Sequence, residues 1–61
     1  MNLRKARKRV GLSQVQVAKM IGVTGGAVSQ WESGLTHPKV RDLAKLAEIY
    51  GVSVDELLME D

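Results

Sequence analysis

The chain of 61 residues has no cysteine, one proline (Pro38) and two aromatic residues, Trp31 and Tyr50. Without cysteine, neither a disulfide nor a thiolate-bound metal can stabilise so small a chain. No apolar run approaches the roughly 20 residues that a membrane span requires. The polar start of the chain also lacks the apolar stretch of a secretory signal. We therefore expect a single soluble, cytoplasmic domain over residues 1–61, stabilised by the packing of short helices.

Acidic residues are almost absent from the first two thirds of the chain. Residues 1–41 contain eight Lys/Arg and a single acid, Glu32, whereas residues 42–61 contain one Lys and six acids. The first part therefore carries a formal charge of +7 and the second part −5. This asymmetry favours a molecule with one side turned towards a polyanion. The alternative is that the charges only tune the ends and solvated faces of helices.

Apolar residues recur at helical spacing in five short segments, and no segment alternates as a strand does, which predicts an all-α fold. Ser13 and Ser53 each precede a Gln or Glu by three residues, the spacing of a capping box. Asn2 and Thr24 are predicted to cap the first and third helices. The predicted helices span Leu3–Val10, Gln14–Ile21, Gly25–Ser33, Val40–Tyr50 and Val54–Met59.

The segment between residues 13 and 32 is the most informative part of the chain. Two amphipathic helices meet there at Gly22 with no room for a long loop, so they must cross at a steep angle around a small shared core. This spacing is typical of the helix-turn-helix motif, whose main known use is to read the major groove of DNA.

The outer face of the third predicted helix is small and uncharged. With Val28 taken as the inward position, a rotation of about 100° per residue places four residues on the far side: Gly26, Ser29, Gln30 and Ser33. Gln30 can donate and accept at once, and paired contacts to adenine N6 and N7 are its usual role in the major groove. The alternative is an ordinary solvated face, although such faces usually carry Glu and Lys.

One charged residue, Arg7, lies on the inner stripe of the first predicted helix, together with Leu3, Ala6 and Val10. A buried charge needs a partner, because burying it alone is costly. Glu32 is the only acid before residue 42 and is predicted to point inwards from the third helix. We therefore predict a partly buried ion pair between Arg7 and Glu32 that fixes the first helix to the third.

The remaining bases of the first helix are predicted to face solvent: Arg4, Lys5, Lys8 and Arg9. They either contact phosphates or only keep the surface charged, and the sequence favours neither interpretation. His37 and Lys39 flank Pro38 in the loop after the third helix, where contact with a nucleic-acid backbone is geometrically natural. A lone histidine is more often an ordinary surface residue, and no second histidine or acid pair accompanies it, so no metal site is expected.

The fourth predicted helix has a broad apolar inner face. It comprises Val40, Leu43, Ala44, Leu46, Ala47 and Tyr50. Ile49 lies off this face, and Met59 lies off the inner side of the fifth helix, so both are predicted to be exposed near the acidic end. Single exposed apolar residues are ordinary, but two near each other suggest a modest dimer contact.

These residues closely resemble the Cro/repressor family of phage and bacterial helix-turn-helix regulators, also called the XRE family. The similarity covers about Leu3–Leu58 and includes the flanking helices and caps. The stretches Lys19–Val23 and Ala27–Glu32 look especially like the N-terminal domains of lambdoid phage repressors. The matching positions are Leu12-Ser13-Gln14, Val17-Ala18, Ile21-Gly22-Val23-Thr24, Val28-Ser29-Gln30-Trp31-Glu32, Gly34, Pro38, Leu43, Leu46-Ala47 and Gly51-Val52.

The resemblance implies a compact five-helix, lambda-repressor-like domain that binds double-stranded DNA at a palindromic operator. It implies a weak two-fold homodimer, or a dimer that forms on the DNA. Phosphate or backbone contacts are implied for Ser13, Gln14, Ser33, His37 and Lys39. Base contacts are implied for Gln14 and for a recognition surface that comprises Thr24, Gly25, Gly26, Ala27, Ser29 and Gln30.

Gly25 and Gly26 depart from the family pattern, which usually places longer polar side chains there. One interpretation is that the third helix starts late or frays. The other is that its backbone comes closer to the DNA, with specificity carried by Ala27, Ser29, Gln30 and the shape of the duplex.

The leading hypothesis is a sequence-specific transcriptional regulator, a repressor of a phage or prophage element, that reads its operator with the third helix. The alternative is a protein-interaction module on the same fold, such as an antitoxin-like protein or a regulator's partner. The acid-free outer face of the third helix argues against DNA mimicry. No enzyme, cofactor or small-molecule ligand is expected, because no nucleophile–base pair, phosphate loop or metal cluster is evident.

Overall fold

The computed structural model describes residues 1–60, which form five α-helices and no strand. The all-α architecture predicted from the sequence is therefore confirmed. The second, third and fourth helices have the predicted bounds, whereas the first ends one residue earlier, at Arg9, and the fifth ends at Leu58. The helices are α1 (Leu3–Arg9), α2 (Gln14–Ile21), α3 (Gly25–Ser33), α4 (Val40–Tyr50) and α5 (Val54–Leu58).

Side-chain caps begin three of the helices. Ser13 Oγ accepts from the Gln16 N–H at 3.0 Å, and Gln16 Oε1 accepts from the Ser13 N–H at 2.8 Å, which completes the predicted capping box of α2. Thr24 Oγ1 caps α3 by accepting from the Ala27 N–H at 3.1 Å. Ser53 Oγ accepts from the α5 backbone at 3.0 Å, but no side chain returns the bond, so the second predicted capping box is only half formed.

The predicted cap at Asn2 is wrong in its chemistry. The Asn2 side chain makes no capping hydrogen bond to α1, and its Oδ1 has no partner among residues 1–60. The backbone N–H of Asn2 instead donates to the carbonyl oxygen of Leu57 at 2.8 Å. This bond ties the start of α1 to α5, so the two ends of the fold are joined through the main chain.

The turn between α2 and α3 depends on Gly22, which has a φ of +80°. A side chain is strained in this left-handed conformation, whereas glycine adopts it freely. The Gly22 and Val23 N–H groups donate to the carbonyl oxygen of Ala18, at 2.9 and 3.0 Å, and close the end of α2. α2 and α3 are therefore joined by only three residues and pack against each other.

The core is built from apolar side chains of all five helices, and α2 and α3 pack most extensively on each other. Its buried members are Leu3, Ala6, Val17, Ala18, Ile21, Val28, Trp31, Leu43, Leu46, Ala47, Tyr50 and Leu57.

Several residues predicted to be inward are exposed. Val10 is exposed because α1 ends before it, and Val40 because it is the first residue of α4, ahead of the part that packs on the core. Ala44 is also exposed. Conversely, Ile49 was predicted to be exposed but is half-buried against the core, because α2 covers that side of α4. Met59 is exposed, as predicted.

Candidate nucleic-acid interface

The outward face of α3 belongs to a helix whose inner side packs against the core. Val28 and Trp31 bury the inner side of the helix. The four residues predicted on the outer side are all exposed in the structure: Gly26, Ser29, Gln30 and Ser33. Thr24 is exposed and Ala27 is half-buried next to them. The face therefore offers hydroxyl, amide and bare backbone groups but no charge.

Gln30 is held by the loop that follows α3. The Leu35 and Thr36 N–H groups donate to the Gln30 carbonyl oxygen at 3.0 and 3.4 Å. The Thr36 hydroxyl lies 3.5 Å from Oε1, the amide oxygen of the Gln30 side chain. Ser33 Oγ donates to the backbone carbonyl oxygen of Gln30 at 3.0 Å. Sequence reasoning missed Thr36, since nothing in the local pattern indicates that the loop folds back.

The two glycines at the start of α3 are not required by the fold. α3 begins at Gly25, so the interpretation in which the helix starts late does not hold. Neither glycine has a positive φ. A Cβ at position 25 would lie 3.5 Å from Val15 Cγ2, and one at position 26 would lie 3.8 Å from Thr24 Oγ1, both ordinary contacts. The fold would therefore accept alanine at either position.

Glu32 is the centre of a polar cluster that joins three helices. Arg7 Nε donates to Glu32 Oε2 at 2.6 Å, and Arg7 Nη2 donates to Oε1 at 3.0 Å. Arg7 Nη1 donates to the Leu12 carbonyl oxygen at 2.9 Å. The Glu32 side chain is fully buried and that of Arg7 is 11% exposed. The two side chains predicted to pair thus meet in a two-point ion pair.

Two further donors reach the same carboxylate. Gln14 Nε2 donates to Glu32 Oε1 at 3.0 Å, and Arg4 Nε approaches that oxygen at 3.4 Å. Gln14 was assigned to base contacts, but the residue is half-buried and its amide nitrogen donates to Glu32. The assignment failed to anticipate this bond because it connects residues on different helices, and no local spacing indicates it.

The cluster perturbs three ionisation equilibria. Burial alone would raise the pKa of the Glu32 carboxyl, but the hydrogen bonds from Arg7 and Gln14 and the charge of Arg7 outweigh burial, so this pKa lies below its usual value. The hydrogen bond to Glu32 raises the pKa of Arg7 against the opposing effect of burial. Burial, with the nearby charge of Glu32, raises the pKa of Tyr50 to about 12. Glu32 and Arg7 are therefore both charged at neutral pH.

The residues assigned to backbone contacts lie at the start of α2 and around the end of α3. Ser13 is exposed at the start of α2, with its hydroxyl engaged in the cap. Ser33, the last residue of α3, is exposed, and so are His37 and Lys39 in the loop that follows. Ser33 and His37 line one groove of about 370 Å³, which also contains Met1 and Glu60. The structure thus brings Ser33 and His37 to one groove, which Ser13 and Lys39 do not line.

The two residues assigned to a dimer contact have different surroundings. Ile49 lines a groove of about 400 Å³ between α2 and α4, together with Met20, Ile21, Lys45 and Glu48. Met59 is 62% exposed beyond the end of α5 and does not line this groove. Leu58, which sequence reasoning missed, is 49% exposed beside Met59. Its exposure follows from the short α5, in which Leu57 takes the buried position.

No helix within residues 1–60 combines the length and apolar character needed to cross a bilayer. In the same part of the chain, no group of three or more His, Asp or Glu side chains is arranged to hold a metal ion.

Comparison with known sequences matches the family described as Helix-turn-helix to residues 3–57. Repressor protein C2 of Salmonella phage P22 is 37% identical over 59 residues, which are 97% of this chain and 27% of that protein. The HTH-type transcriptional activator BcrR of Enterococcus faecalis is 36% identical over 56 residues, which are 92% of this chain and 28% of that protein. The chain therefore spans less than a third of the length of either relative.

A solved structure has the same fold. The crystal structure of the P22 c2 repressor protein in complex with synthetic operator 9T superimposes with a TM-score of 0.87 and 37% sequence identity. The match covers 97% of this chain and 89% of that chain. The five-helix, lambda-repressor-like fold expected from the resemblance is confirmed by this agreement.

Proposed function

Because this chain belongs to the helix-turn-helix family of Cro/repressor type, we propose that it is a sequence-specific DNA-binding regulator of transcription, acting as a repressor. α3 enters the major groove of the operator, and the function is binding without a catalytic step. The site of action is the cytoplasm, where a bacterial or phage operator is found. Residues 1–61 act as one DNA-binding domain, with residues 13–32 as its motif.

The observation that carries this proposal is the outward face of α3. It is exposed, uncharged and rich in hydrogen-bonding groups, and it stands on a capped helix within the part of the chain that carries a formal charge of +7. Base edges are read by such groups, whereas the basic surroundings attract the phosphates. The structural similarity to a repressor in complex with an operator supports the proposal that α3 faces the DNA in this protein as well.

We assign the base contacts mainly to Gln30 and Ser29, with Thr24 and Ala27 beside them. Gln30 takes an adenine through N6 and N7, since its amide both donates and accepts. Gly25 and Gly26 let the helix backbone approach the bases. Backbone contacts are assigned to a second set of residues: Ser13, Ser33, His37 and Lys39. Gln14 contacts DNA only through the part of its amide that Glu32 leaves free.

We further propose that two copies bind one palindromic operator. Half-sites read by a two-fold dimer lie about one helical turn apart, roughly 34 Å. Met59, with Leu58 beside it, is the exposed apolar pair available for the dimer contact, and Ile49 contributes less because it is half-buried. Two exposed apolar residues make a small contact, so the dimer is weak without DNA.

The test starts with selection of tight-binding duplexes from random-sequence DNA, followed by fluorescence anisotropy on the selected duplex. We expect Gln30→Ala to lower affinity for it by about tenfold or more and to remove the preference for one base pair, because a paired contact to adenine is lost. Glu48→Gln, at an exposed position of α4, is the control and should retain the wild-type affinity and the wild-type base preference. A wild-type protein that enriches no sequence at low salt would refute the proposal.

A further inference from the structure

Thr36 contacts Gln30 through both its backbone and its side chain. The Thr36 N–H group donates to the Gln30 carbonyl oxygen at 3.4 Å, and the Thr36 hydroxyl donates to Gln30 Oε1 at 3.5 Å. Within residues 1–60, this hydroxyl is the only group that makes a hydrogen bond with the amide of the Gln30 side chain. Thr36 is therefore placed to influence how Gln30 presents its amide.

The end of α3 determines where Thr36 lies. Gly34 has a φ of +82°, the left-handed conformation that commonly ends a helix and turns the chain back. The Leu35 N–H group then donates to the Gln30 carbonyl oxygen at 3.0 Å, as is typical of such helix ends. The main chain itself holds residues 35 and 36 against Gln30, so the two side chains meet without depending on the long bond between them.

The contact distinguishes the two ends of the Gln30 amide. An amide oxygen only accepts hydrogen bonds, whereas an amide nitrogen only donates them. Oε1 keeps a second lone pair while it accepts from Thr36, and neither N–H of this amide donates a hydrogen bond within residues 1–60. With Oε1 on the side of Thr36, the amide can still accept from adenine N6 and donate to adenine N7.

The hydroxyl of Thr36 cannot donate to a phosphate at the same time. Thr36 is exposed in the loop after α3, where a hydroxyl would ordinarily contact the DNA backbone. A phosphate oxygen only accepts, and a hydroxyl has one hydrogen to donate, which here is directed to Gln30 Oε1. The geometry therefore favours an action of Thr36 through Gln30 over a direct contact with DNA.

We propose that Thr36 is a positioning residue, which selects the orientation in which the Gln30 amide reads adenine. This inference rests on the proposed DNA-binding function. The 3.5 Å distance between the two oxygens is at the outer limit of a hydrogen bond in the free protein, and it shortens when a base fixes the amide. The reverse orientation would place donor against donor at N6 and acceptor against acceptor at N7, so Thr36 favours adenine without contacting it.

The experiment measures how strongly each variant prefers adenine at the base pair read by Gln30. This base pair is the one whose preference Gln30→Ala removes, and anisotropy compares the selected duplex with a duplex in which only this pair is changed. We expect Thr36→Val, which keeps the shape of the side chain but removes the hydroxyl, to lower the ratio of the two affinities by about fivefold, the contribution of one ordinary hydrogen bond. Thr36→Ser should retain the wild-type ratio. Leu35→Ala, at the neighbouring position that is 73% exposed, is the control and should also retain it.

A double-mutant comparison separates positioning from direct contact. In the Gln30→Ala background, Thr36→Val should cause no further change in either affinity, because the amide that Thr36 orients is absent. Thermal unfolding checks that all variants fold, which is expected because positions 30, 35 and 36 are exposed.

Three results would overturn the inference while leaving the proposed function intact. The first is an equal loss of affinity on both duplexes that persists without Gln30, which would assign the Thr36 hydroxyl to a phosphate. The second is an unchanged ratio for Thr36→Val. The third is a base preference that survives Gln30→Ala at every pair, since Thr36 would then have no base contact to orient. A wild-type protein that enriches no sequence would instead overturn the proposed function.

Discussion

Gly26 illustrates at the scale of one residue how stability and binding can have opposite requirements. It lies in the first turn of α3, is exposed, and would accept a Cβ with no contact closer than 3.8 Å. Glycine in a helix is less stable than alanine by up to about 1 kcal/mol. The fold alone would therefore favour alanine, and under the proposed function a close approach of the helix backbone to DNA would account for the glycine.

We expect Gly26→Ala to raise the free energy of unfolding by less than about 1 kcal/mol, because position 26 is in the first turn of α3 and not in the helix interior. The same change should weaken binding to the selected duplex. The added methyl group restricts the unfolded chain and also occupies the space between the helix and the bases. Urea unfolding and anisotropy measure the two effects. Ala44→Gly, at an exposed position of α4 outside the proposed contacts, is the control and should leave binding unchanged. An alanine variant that binds as tightly as wild type would mean that the backbone does not approach the bases there.

At the scale of helices, Glu32 links α1, α2 and α3 through one buried carboxylate. The contact between α1 and α3 depends on Arg7, and that between α2 and α3 is supplemented by Gln14. Removing the charge of Glu32 leaves Arg7 nearly buried without a counter-charge, which costs about 3 kcal/mol when such a pair is broken.

We therefore expect Glu32→Gln to lower the free energy of unfolding by about 3 kcal/mol at neutral pH. Glu48→Gln, at an exposed position, should change it by no more than about 0.5 kcal/mol. Urea unfolding measures both. The two variants would be equally stable if the ion pair contributed nothing to the fold.

The same pair gives the stability a dependence on acid pH. Because the pKa of Glu32 is lowered in the folded state, its contribution is present above the ordinary glutamate pKa of about 4.3 and is lost as pH falls through the lowered value. The gap in unfolding free energy between wild type and Glu32→Gln should therefore narrow as pH falls from about 5 through the acid range. A gap that stays constant over this range would contradict the lowered pKa.

The elements of the fold are largely predictable from the sequence, because their signals are local. Ser13 and Gly22 begin and end α2 through hydrogen bonds and a backbone conformation that involve only near neighbours. The pair of Arg7 and Glu32 was also predictable, since a charge on an apolar stripe needs a partner and only one acid was available.

What could not be predicted depends on how the helices pack. The bond from Gln14 to Glu32 and the contact of Thr36 with Gln30 join segments whose relative position no periodicity specifies. Val40 was misassigned because a helical projection treats the first turn as if it were packed like the middle. Ile49 was misassigned because the projection ignores the neighbouring α2.

At the scale of the whole molecule, the proposed dimer contact is made by residues from the acidic part of the chain, residues 42–61. Like charges there oppose close approach, so an apolar contact must outweigh them. Leu58 and Met59 are the adjacent exposed apolar residues in that region.

We expect Met59→Gln to weaken binding to a duplex with two half-sites by about tenfold, because each 1.4 kcal/mol of lost contact between copies lowers affinity by that factor. Binding to a single half-site should stay the same. Sedimentation of the free protein and anisotropy on both duplexes measure this. Val40→Gln, at another exposed apolar position, is the control and should alter neither. Loss of affinity for the single half-site would place Met59 in the DNA contact instead.

The main-chain bond from Asn2 to Leu57 has a consequence for biosynthesis. The partner of this N–H group lies in α5, so a nascent chain on the ribosome cannot form the bond until Leu57 has emerged. Contacts between such distant positions form late and slowly in folding. The start of α1 therefore gains this bond only after α5 has been translated, whereas the ion pair of Arg7 with Glu32 needs only α3.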